Sequence, residues 1–485
     1  MIFGGFCLRI PSVMQLGSRR YHSKSPLYLV YFGSDQYALA HLQALIDRES
    51  SLKNYRIQHV VTANDATPVA AYCTKTGLDY STWPRGSNEC AKIVASRVKD
   101  WQNDLARVHP PSIDQKQSGI LGLVISFGRF LPTPLIAAFG QGCVNIHPSL
   151  LPRWRGPCPL LHTLLAGDTV GGISAIRLPT DEHAFDTGPV LQQRAIRLDT
   201  GRPLTPSQLG AFLTPYSIEV MFEIIGRALT GNLSEALSQS ALAKRCRLIP
   251  ADAPRPNEAM GHVDWANQTA SEIVRLWYCL SETPVHLTSL LQIRKPTSTA
   301  SDAIVRFVGQ NPVAVPLDDP SEASSCCQPN NLLLLQNAAY LLQRVPHEFP
   351  PGGVMYLRAQ NQRNYPLVPF AFIACKPHVS FPKRSWLAVP SLHIRMPGAR
   401  HFRPLTALDV YNGVLHESES RKLSSIYDLP HGFHPFSGFR SLSNPLTSKI
   451  EYRAPLRDTV IISLVNKVIS SDWNISAPSG LALDA

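Results

Sequence analysis

Asn145, His147 and Asp186 place an amide, an imidazole and a carboxylate in one short span of the chain, VNIHPSLLPRWRGPCPLLHTLLAGDTVGGISAIRLPTDEHAFDTG from Val144 to Gly188. Asn145 and His147 stand two apart, so in a strand they project to the same side. The chemistry these groups suit is acyl transfer, in which a tetrahedral intermediate develops an oxyanion. A side-chain amide donates to that oxygen without changing charge, which is worth about 3–4 kcal/mol in comparable sites. An imidazole adds a second donor or protonates a departing nitrogen, since it titrates near neutral pH. Asp186, on an Asp-Thr-Gly turn, orients the imidazole or takes the proton that the attacking group must lose, directly or through water. Singly, each residue has an ordinary structural reading: a loop cap, a core histidine, a turn former. Their joint occurrence beside a proline-rich loop that cannot continue as strand or helix favours the site.

The elements that must position these groups read as an α/β fold. LYLVYFG (27–33) is a buried parallel strand ending in glycine, Tyr37 to Ile46 has helical spacing, and IQHVVT (57–62) is a second strand. Residues 67–76 read as a helix and 81–117 as a polar loop with a helix. GILGLVISFG (119–128) is another buried strand, followed by a short helix from Thr133 to Phe139. Strand and helix alternating in this order predict a doubly wound, Rossmann-like parallel sheet, whose ligands bind at the carboxyl ends of the strands. Gly33-Ser34-Asp35 lacks GxGxxG, so nucleotide binding is not supported. VLQQRAIRL (190–198) alternates as a strand, and Thr205 to Leu229 is a long amphipathic helix.

Residues 231–260, with prolines at 250, 254 and 256, read as a linker. Thr269 and Glu272 have the spacing of a reciprocal helix cap. Short β-like runs at 303–308, 332–336, 340–345, 353–358, 371–375 and 386–394 indicate a small β-barrel or sandwich. Residues 416–485 are rich in Ser, Pro and Asn and read as an extension of low order, with one helix over 459–469.

The chain has 485 residues, a net charge of +11 and ten cysteines. Its length suits two or three domains. No cysteine pair has ligand spacing, so free thiols and no metal are expected, and no apolar run approaches the ~18–20 residues that span a bilayer. Residues 1–34 carry Arg9, Arg19, Arg20 and Lys24 with no acid and several serines, the composition of a mitochondrial transit peptide over 1–24. Between Phe349 and Leu408 there is no Asp or Glu, yet Arg358, Arg363, Lys376, Lys383, Arg384, Arg395, Arg400 and Arg403 occur there. Tyr365, Phe370, Phe372, Phe381 and Trp386 are interleaved. The charges favour RNA, read through its phosphates; the aromatics are better read as core.

NIHPSLLPRWRGPCPLLHTLLAGD followed by Asp186-Thr187-Gly188 resembles the active-site region of the folate-dependent formyltransferases. SLLP with the downstream Asp-x-Gly is shared across that family, and the PRWRG continuation is typical of its members acting on methionyl-tRNA. The resemblance extends more weakly from about Leu27 to Leu229, resumes at His262-Val263-Asp264-Trp265 and Pro351-Gly352-Gly353, and ends near Leu405 to Gly413. It implies a formyltransferase catalytic domain over 25–230, a linker over 231–260 and an OB-like β-barrel tRNA-binding domain over 261–415. The implied reaction moves the formyl group of 10-formyltetrahydrofolate to the amino group of aminoacylated initiator Met-tRNA, in the mitochondrial matrix. Asn145, His147 and Asp186 would then be catalytic. Ser149, Leu150, Leu151 and Pro152 would face the pterin through their backbone. Arg153 and Arg155 contact phosphate or fold back on acids. A monomer without metal or membrane is expected. Two other readings compete: a formyltransferase for a small amine such as a ribonucleotide, and a catalytically silent RNA-binding homologue. One departure stands out. Where the bacterial members of that family carry a Gly- and Arg/Lys-rich loop after the second strand, this sequence has a shorter segment with Lys75 as its one basic residue.

Overall fold

The computed structural model describes residues 27–52, 54–86, 88–108, 119–180, 185–198, 202–294, 300–307, 313–315, 335, 338–357, 370–378, 381–413, 417–426, 429, 433–436, 439–440, 456, 461–462 and 465. The expected transit peptide lies outside them.

Seven strands form one sheet in the order β3-β2-β1-β4-β5-β6-β7: β1 (Leu27–Gly33), β2 (Tyr55–Thr62), β3 (Tyr80–Thr82), β4 (Ile120–Ile125), β5 (Cys143–His147), β6 (Val170–Arg177) and β7 (Val190–Arg197). β1 pairs in parallel with β2 and β4, β2 with β3, and β4 with β5. The chain winds outward to β3 and restarts beside β1 at β4, which is the doubly wound order the alternation predicts. β1 and β4 are almost wholly buried, as continuous apolar runs in a covered sheet must be. Gly33 ends β1 where a Cβ would stand 2.8 Å from that of Ala38, so the glycine lets the following helix α1 (Gln36–Leu52) start against the strand. The segment after β2 is a short turn. Thr67 then caps helix α2 (Pro68–Thr76), with proline in its first turn and Gly77 left-handed at its end.

The chain divides into two compact units, Met1–Ile146 with Ala175–His183 and Ile218–Ala236, and His147–Ser174 with Ala184–Ser217 and Leu237–Ala485. This division differs from the expected cut at 231–260. The core of the first unit gathers Phe32, Val61, Trp83, Val124, Phe127 and Phe139, with Phe32 and Trp83 edge-on to Phe127 at 5.4 and 5.8 Å. Helix α3 (Asn88–Val108) packs Val94 and Val98 into it, and α4 (Thr133–Ile136) packs Leu135.

The second unit contains helix α5 (Pro159–Ala166), helix α7 (Gln239–Cys246), helix α8 (Ala270–Leu280) and two antiparallel five-stranded sheets. α8 opens on the Thr269/Glu272 capping box. One sheet orders β10 (Val313–Val315), β13 (Phe381–Val389), β12 (Ala371–His378), β11 (Val354–Leu357) and β16 (Phe433–Phe436). The other orders β15 (Arg403–Thr406), β14 (Ser391–Arg395), β9 (Ala300–Phe307), β8 (Leu287–Arg294) and β17 (Phe439–Arg440). Leu291, Val305 and Ile394 of the second sheet share one core with Ile373, Leu387 and Phe436 of the first and with Trp265. This is the layered β architecture expected of a small barrel or sandwich.

Three expectations change. The run at 340–345 is not a strand, and the one described residue of 332–336 is helical: Leu335 and residues 338–342 are helix, because Leu335, Ala338, Ala339 and Leu342 recur at helical spacing and bury together. The stretch from 416 is not of low order at its described residues. Glu417–Ile426 is a helix, β16 pairs with β11, β17 pairs with β8, and Phe436 and Phe439 are buried in the common core. Polar composition hid two phenylalanines whose burial holds the segment. Finally, α6 (Pro206–Leu229) is long and apolar enough to cross a membrane by length and composition, yet half of that window is buried, with Val220, Met221 and Ile224 fully covered.

Candidate functional site

β5 delivers Asn145 and His147. Asn145 is half-buried and His147 is 5 % exposed. The His147 ring is oriented at both nitrogens. Nε2 lies 3.0 Å from the carbonyl oxygen of Trp154. A carbonyl only accepts, so Nε2 carries a proton. Nδ1 faces Asp186 Oδ2 at 3.7 Å, beyond a hydrogen bond but within ion-pair reach. The same Asp186 oxygen accepts from the main-chain N–H of Gly156 at 3.0 Å. The structure therefore brings His147 and Asp186 together, and places Asn145 two residues earlier on the same strand.

Two residues of this centre hold uncommon backbone: Trp154 at φ 66° and Asp186 at φ 57°. Such conformations cost a side-chain-bearing residue on the order of 1–3 kcal/mol and persist only where the surroundings over-determine them. At Trp154 the indole Nε1 donates to Asp168 Oδ2 at 2.8 Å, and the ring packs with His162 and with Ala166, Ala251 and Ala253. At Asp186 the fixing group is Gln239, at the start of α7. Its Nε2 donates to the carbonyls of Asp186 and Gly188 at 2.6 and 2.9 Å, and its Oε1 accepts from Arg155 Nε at 2.8 Å. Gln239 is 4 % exposed and ties the carboxylate turn to the loop carrying Gly156.

That loop pairs with the stretch 251–253. Arg155 N–H donates to Ala251 O, Ala253 N–H to Arg155 O and Cys158 N–H to Ala253 O, at 2.8, 2.6 and 3.1 Å. Gly156 sits between them at φ 117°, where a Cβ would meet Ala253 O at 3.0 Å, so only glycine suits the position. Residues 251–253 of the expected linker are thus packed against the loop that carries Gly156. Arg155, Gly156, Pro157, Phe185, Thr187, Asp252 and Pro254 line a cavity of about 330 Å³ beside the Asp186 turn. Phe185 is 65 % exposed at its rim.

Of the two arginines of PRWRG, Arg153 folds back on an acid. Its Nε and NH2 reach both oxygens of Asp168 at 2.9 and 2.7 Å, and both side chains are 1 % exposed. Removing one partner of such a buried pair costs about 3–5 kcal/mol, so Arg153 is committed to the fold. Arg155 meets the amide of Gln239 instead. The loop expected to face the pterin is turned inward. Ser149, Leu150 and Leu151 are at most 2 % exposed and Pro152 is buried. Ser149 N–H donates to His147 O and Leu151 N–H to Ser174 Oγ; the carbonyls of Ser149, Leu150, Leu151 and Pro152 accept from Ser174 Oγ, Arg153 N–H, Gln193 Nε2 and Ala251 N–H. These main-chain groups of the loop are thus bonded within the fold next to His147.

Burial lowers the pKa of His162, whose Nε2 donates to Pro254 O, and raises that of the Cys158 thiol against the opposing pull of Arg255. A thiol held protonated is a poor nucleophile, which leaves the imidazole–carboxylate pair as the candidate for the chemistry. Trp154, Asp168 and Gln239 were not singled out by sequence reasoning. Trp154 and Asp168 lie inside the quoted span, but Gln239 is 53 residues from Asp186 and carries no local signal.

Residues 86–212 match the formyl transferase family. The mitochondrial methionyl-tRNA formyltransferase of Bos taurus is 30% identical over 268 residues, which are 53% of this chain and 58% of the relative, so the chain spans little more than half of that protein. The mitochondrial methionyl-tRNA formyltransferase of Rattus norvegicus is 26% identical over 410 residues, 82% of this chain and 81% of the relative. Among solved structures, a glycinamide ribonucleotide transformylase from Symbiobacterium toebii aligns with a TM-score of 0.34 at 20% identity, covering 43% of this chain and 89% of its own.

Proposed function

We propose that this chain is a formyltransferase, and that it transfers the formyl group of 10-formyltetrahydrofolate to the amino group of aminoacylated initiator Met-tRNA in the mitochondrial matrix; the match of residues 86–212 to the formyl transferase family and the similarity to mitochondrial methionyl-tRNA formyltransferases support this reading. The observation that carries the reading is the facing of His147 Nδ1 and Asp186 Oδ2 at 3.7 Å beside an open cavity. The mitochondrial names of the relatives support the compartment.

Nε2 donates to the Trp154 carbonyl, so Nδ1 is the ring atom through which a proton moves. The amine attacks the formyl carbon, a C–N bond forms, and the carbonyl oxygen becomes an oxyanion to which the Asn145 amide donates. His147 Nδ1 takes the proton that the attacking nitrogen must lose, and Asp186, held by Gly156 N–H, stabilises the imidazolium. The bond from carbon to the folate nitrogen then breaks, and Nδ1 returns its proton to that leaving group. The balance needs no further reactant. The Ser149–Pro152 loop serves by fixing the end of β5. The cavity rim, with Phe185 and Arg155, receives the aminoacyl end.

The test uses the protein without residues 1–24, given 10-formyltetrahydrofolate with either Met-tRNA or a small ribonucleotide amine. Formylation of Met-tRNA alone is expected. Alanine at Asn145, His147 or Asp186 should lower kcat by about 10²–10⁴ with the fold intact. Turnover of the small amine alone, or wild-type rates in all three variants, would refute the reading.

A further inference from the structure

Leu456, far along the chain, bonds to Thr169 and to Asp168, which lies one link away from the support of His147. Leu456 donates its main-chain N–H to Asp168 Oδ1 at 2.7 Å. Its carbonyl accepts from Thr169 N–H at 3.0 Å and from Thr169 Oγ1 at 3.3 Å. Leu456 is 6 % exposed, and Ile461 and Val465 beyond it are buried. The two oxygens of Asp168 thus accept from Arg153 Nε, Arg153 NH2, Trp154 Nε1 and Leu456 N–H. A buried carboxylate saturated in this way has one orientation. That orientation anchors the indole of Trp154, the residue whose left-handed backbone aims its carbonyl at His147 Nε2. The links from Leu456 to Asp168, from Asp168 to Trp154 and from Trp154 to His147 measure 2.7, 2.8 and 3.0 Å.

We propose that Leu456, through its main chain, is a positioning residue of the active centre. Its main chain completes the donor set of Asp168, Asp168 fixes Trp154, and the Trp154 carbonyl fixes the proton and direction of His147. The kinetic consequence rests on the formyl-transfer reading, but the geometric one does not, and the test separates them.

Leu456→Pro removes the N–H, while Leu456→Ala keeps it; Trp154→Phe removes the indole donor at the next link. Each is made in the full chain, alone and with Leu456→Pro and Trp154→Phe combined. The readouts are kcat, both KM values and the exchange rate of the His147 Nε2–H resonance in 15N-labelled protein. Leu456→Pro and Trp154→Phe should each lower kcat about tenfold, hold both KM values within about twofold, and speed the Nε2–H exchange. Leu456→Ala, which truncates a buried side chain but keeps the N–H, should lose stability yet leave the Nε2–H exchange at the wild-type rate, and the double variant should be no worse than its poorer parent, as links of one relay require. Losses that multiply, equally fast exchange in Leu456→Ala, an unmoved resonance, or unfolding by Leu456→Pro where Leu456→Ala folds would overturn the assignment. A wild-type chain that does not formylate Met-tRNA would remove the kinetic reading, and the resonance would still decide the relay.

Discussion

Gln239 shows how much of the site depends on a residue that touches neither reactive atom. Its amide bridges two strained or exposed pieces: the Asp186–Gly188 turn through Nε2, and Arg155 through Oε1. Gln239→Glu replaces a donor by an acceptor opposite two carbonyls, so the turn loses its clamp while Arg155 gains a closer partner. The expected result is a kcat lowered by about one to two orders of magnitude, since displacing a reacting group by about an ångström costs that much. Steady-state formyl transfer measures it, and a kcat within twofold of wild type would show that the turn holds itself. The residues proposed as reactive were legible because the types of Asn145, His147 and Asp186, and their spacing on one strand and one turn, suggest that chemistry. Their supports were not. Arg153 left two readings open in the sequence, and only the Asp168 side chain folded beneath it decides for the core. Gln239 and Leu456 act through contacts across 53 and 288 residues, which no local pattern encodes.

At the scale of elements, helix α1 carries a buried titratable group whose sign can be worked out. His41 is 0 % exposed, its Nδ1 donates to the Tyr37 carbonyl one turn back, and its ring lies 4.6 Å from that of Tyr37. Burial lowers its pKa from the usual 6.5 to about 4, against the smaller opposing pull of the backbone bond. The folded value lies below the unfolded one, so the unfolded chain takes up the proton first as pH falls. Stability is full above about 6.5 and declines across the window down to about 4, by an amount on the order of 3 kcal/mol. His59, also lowered by burial, acts in the same direction. Denaturant unfolding from pH 7 to pH 4 should therefore show a falling midpoint. His41→Leu should flatten that slope, and an unchanged slope would place the acid sensitivity elsewhere. Elements with strong periodicity, such as β1, β4 and α6, were readable from the sequence. The failures have a common cause. Residues 338–342 and the strands at 433–436 and 439–440 are short or polar in composition, and they are formed by burial of a few side chains against distant partners.

Over the whole molecule the excess of positive charge is +11, and the β layers concentrate part of it. Of the aromatics interleaved with that charge in the sequence, Phe370, Phe372 and Trp386 are core residues. A further ring in this region, Phe402, is partly exposed, and sequence reading passed it over. Arg306 and Arg395 both lie over it, at 4.3 and 5.1 Å from the ring centre, and Arg400 and Arg403 are exposed beside it. The field is felt locally: His286 is lowered first by burial and then by Arg306 and His393. The segment after β2 is a short turn with Lys75 as the one basic residue between 63 and 80, so on the proposed function this face of β9, β14 and β15 is the candidate for the electrostatic part of tRNA binding. Each phosphate neutralised releases counterions, and the logarithm of affinity falls with the logarithm of salt by about 0.7–0.9 per contact. Changing Arg395, Arg400 and Arg403 together to Gln should therefore reduce that slope by about two to three, weaken tRNA binding most at low salt, and leave kcat at saturating tRNA near wild type. Filter binding across a salt series gives the slope directly. If the triple variant keeps the wild-type slope, these arginines are a solvated face, and the acceptor stem is held elsewhere on the chain.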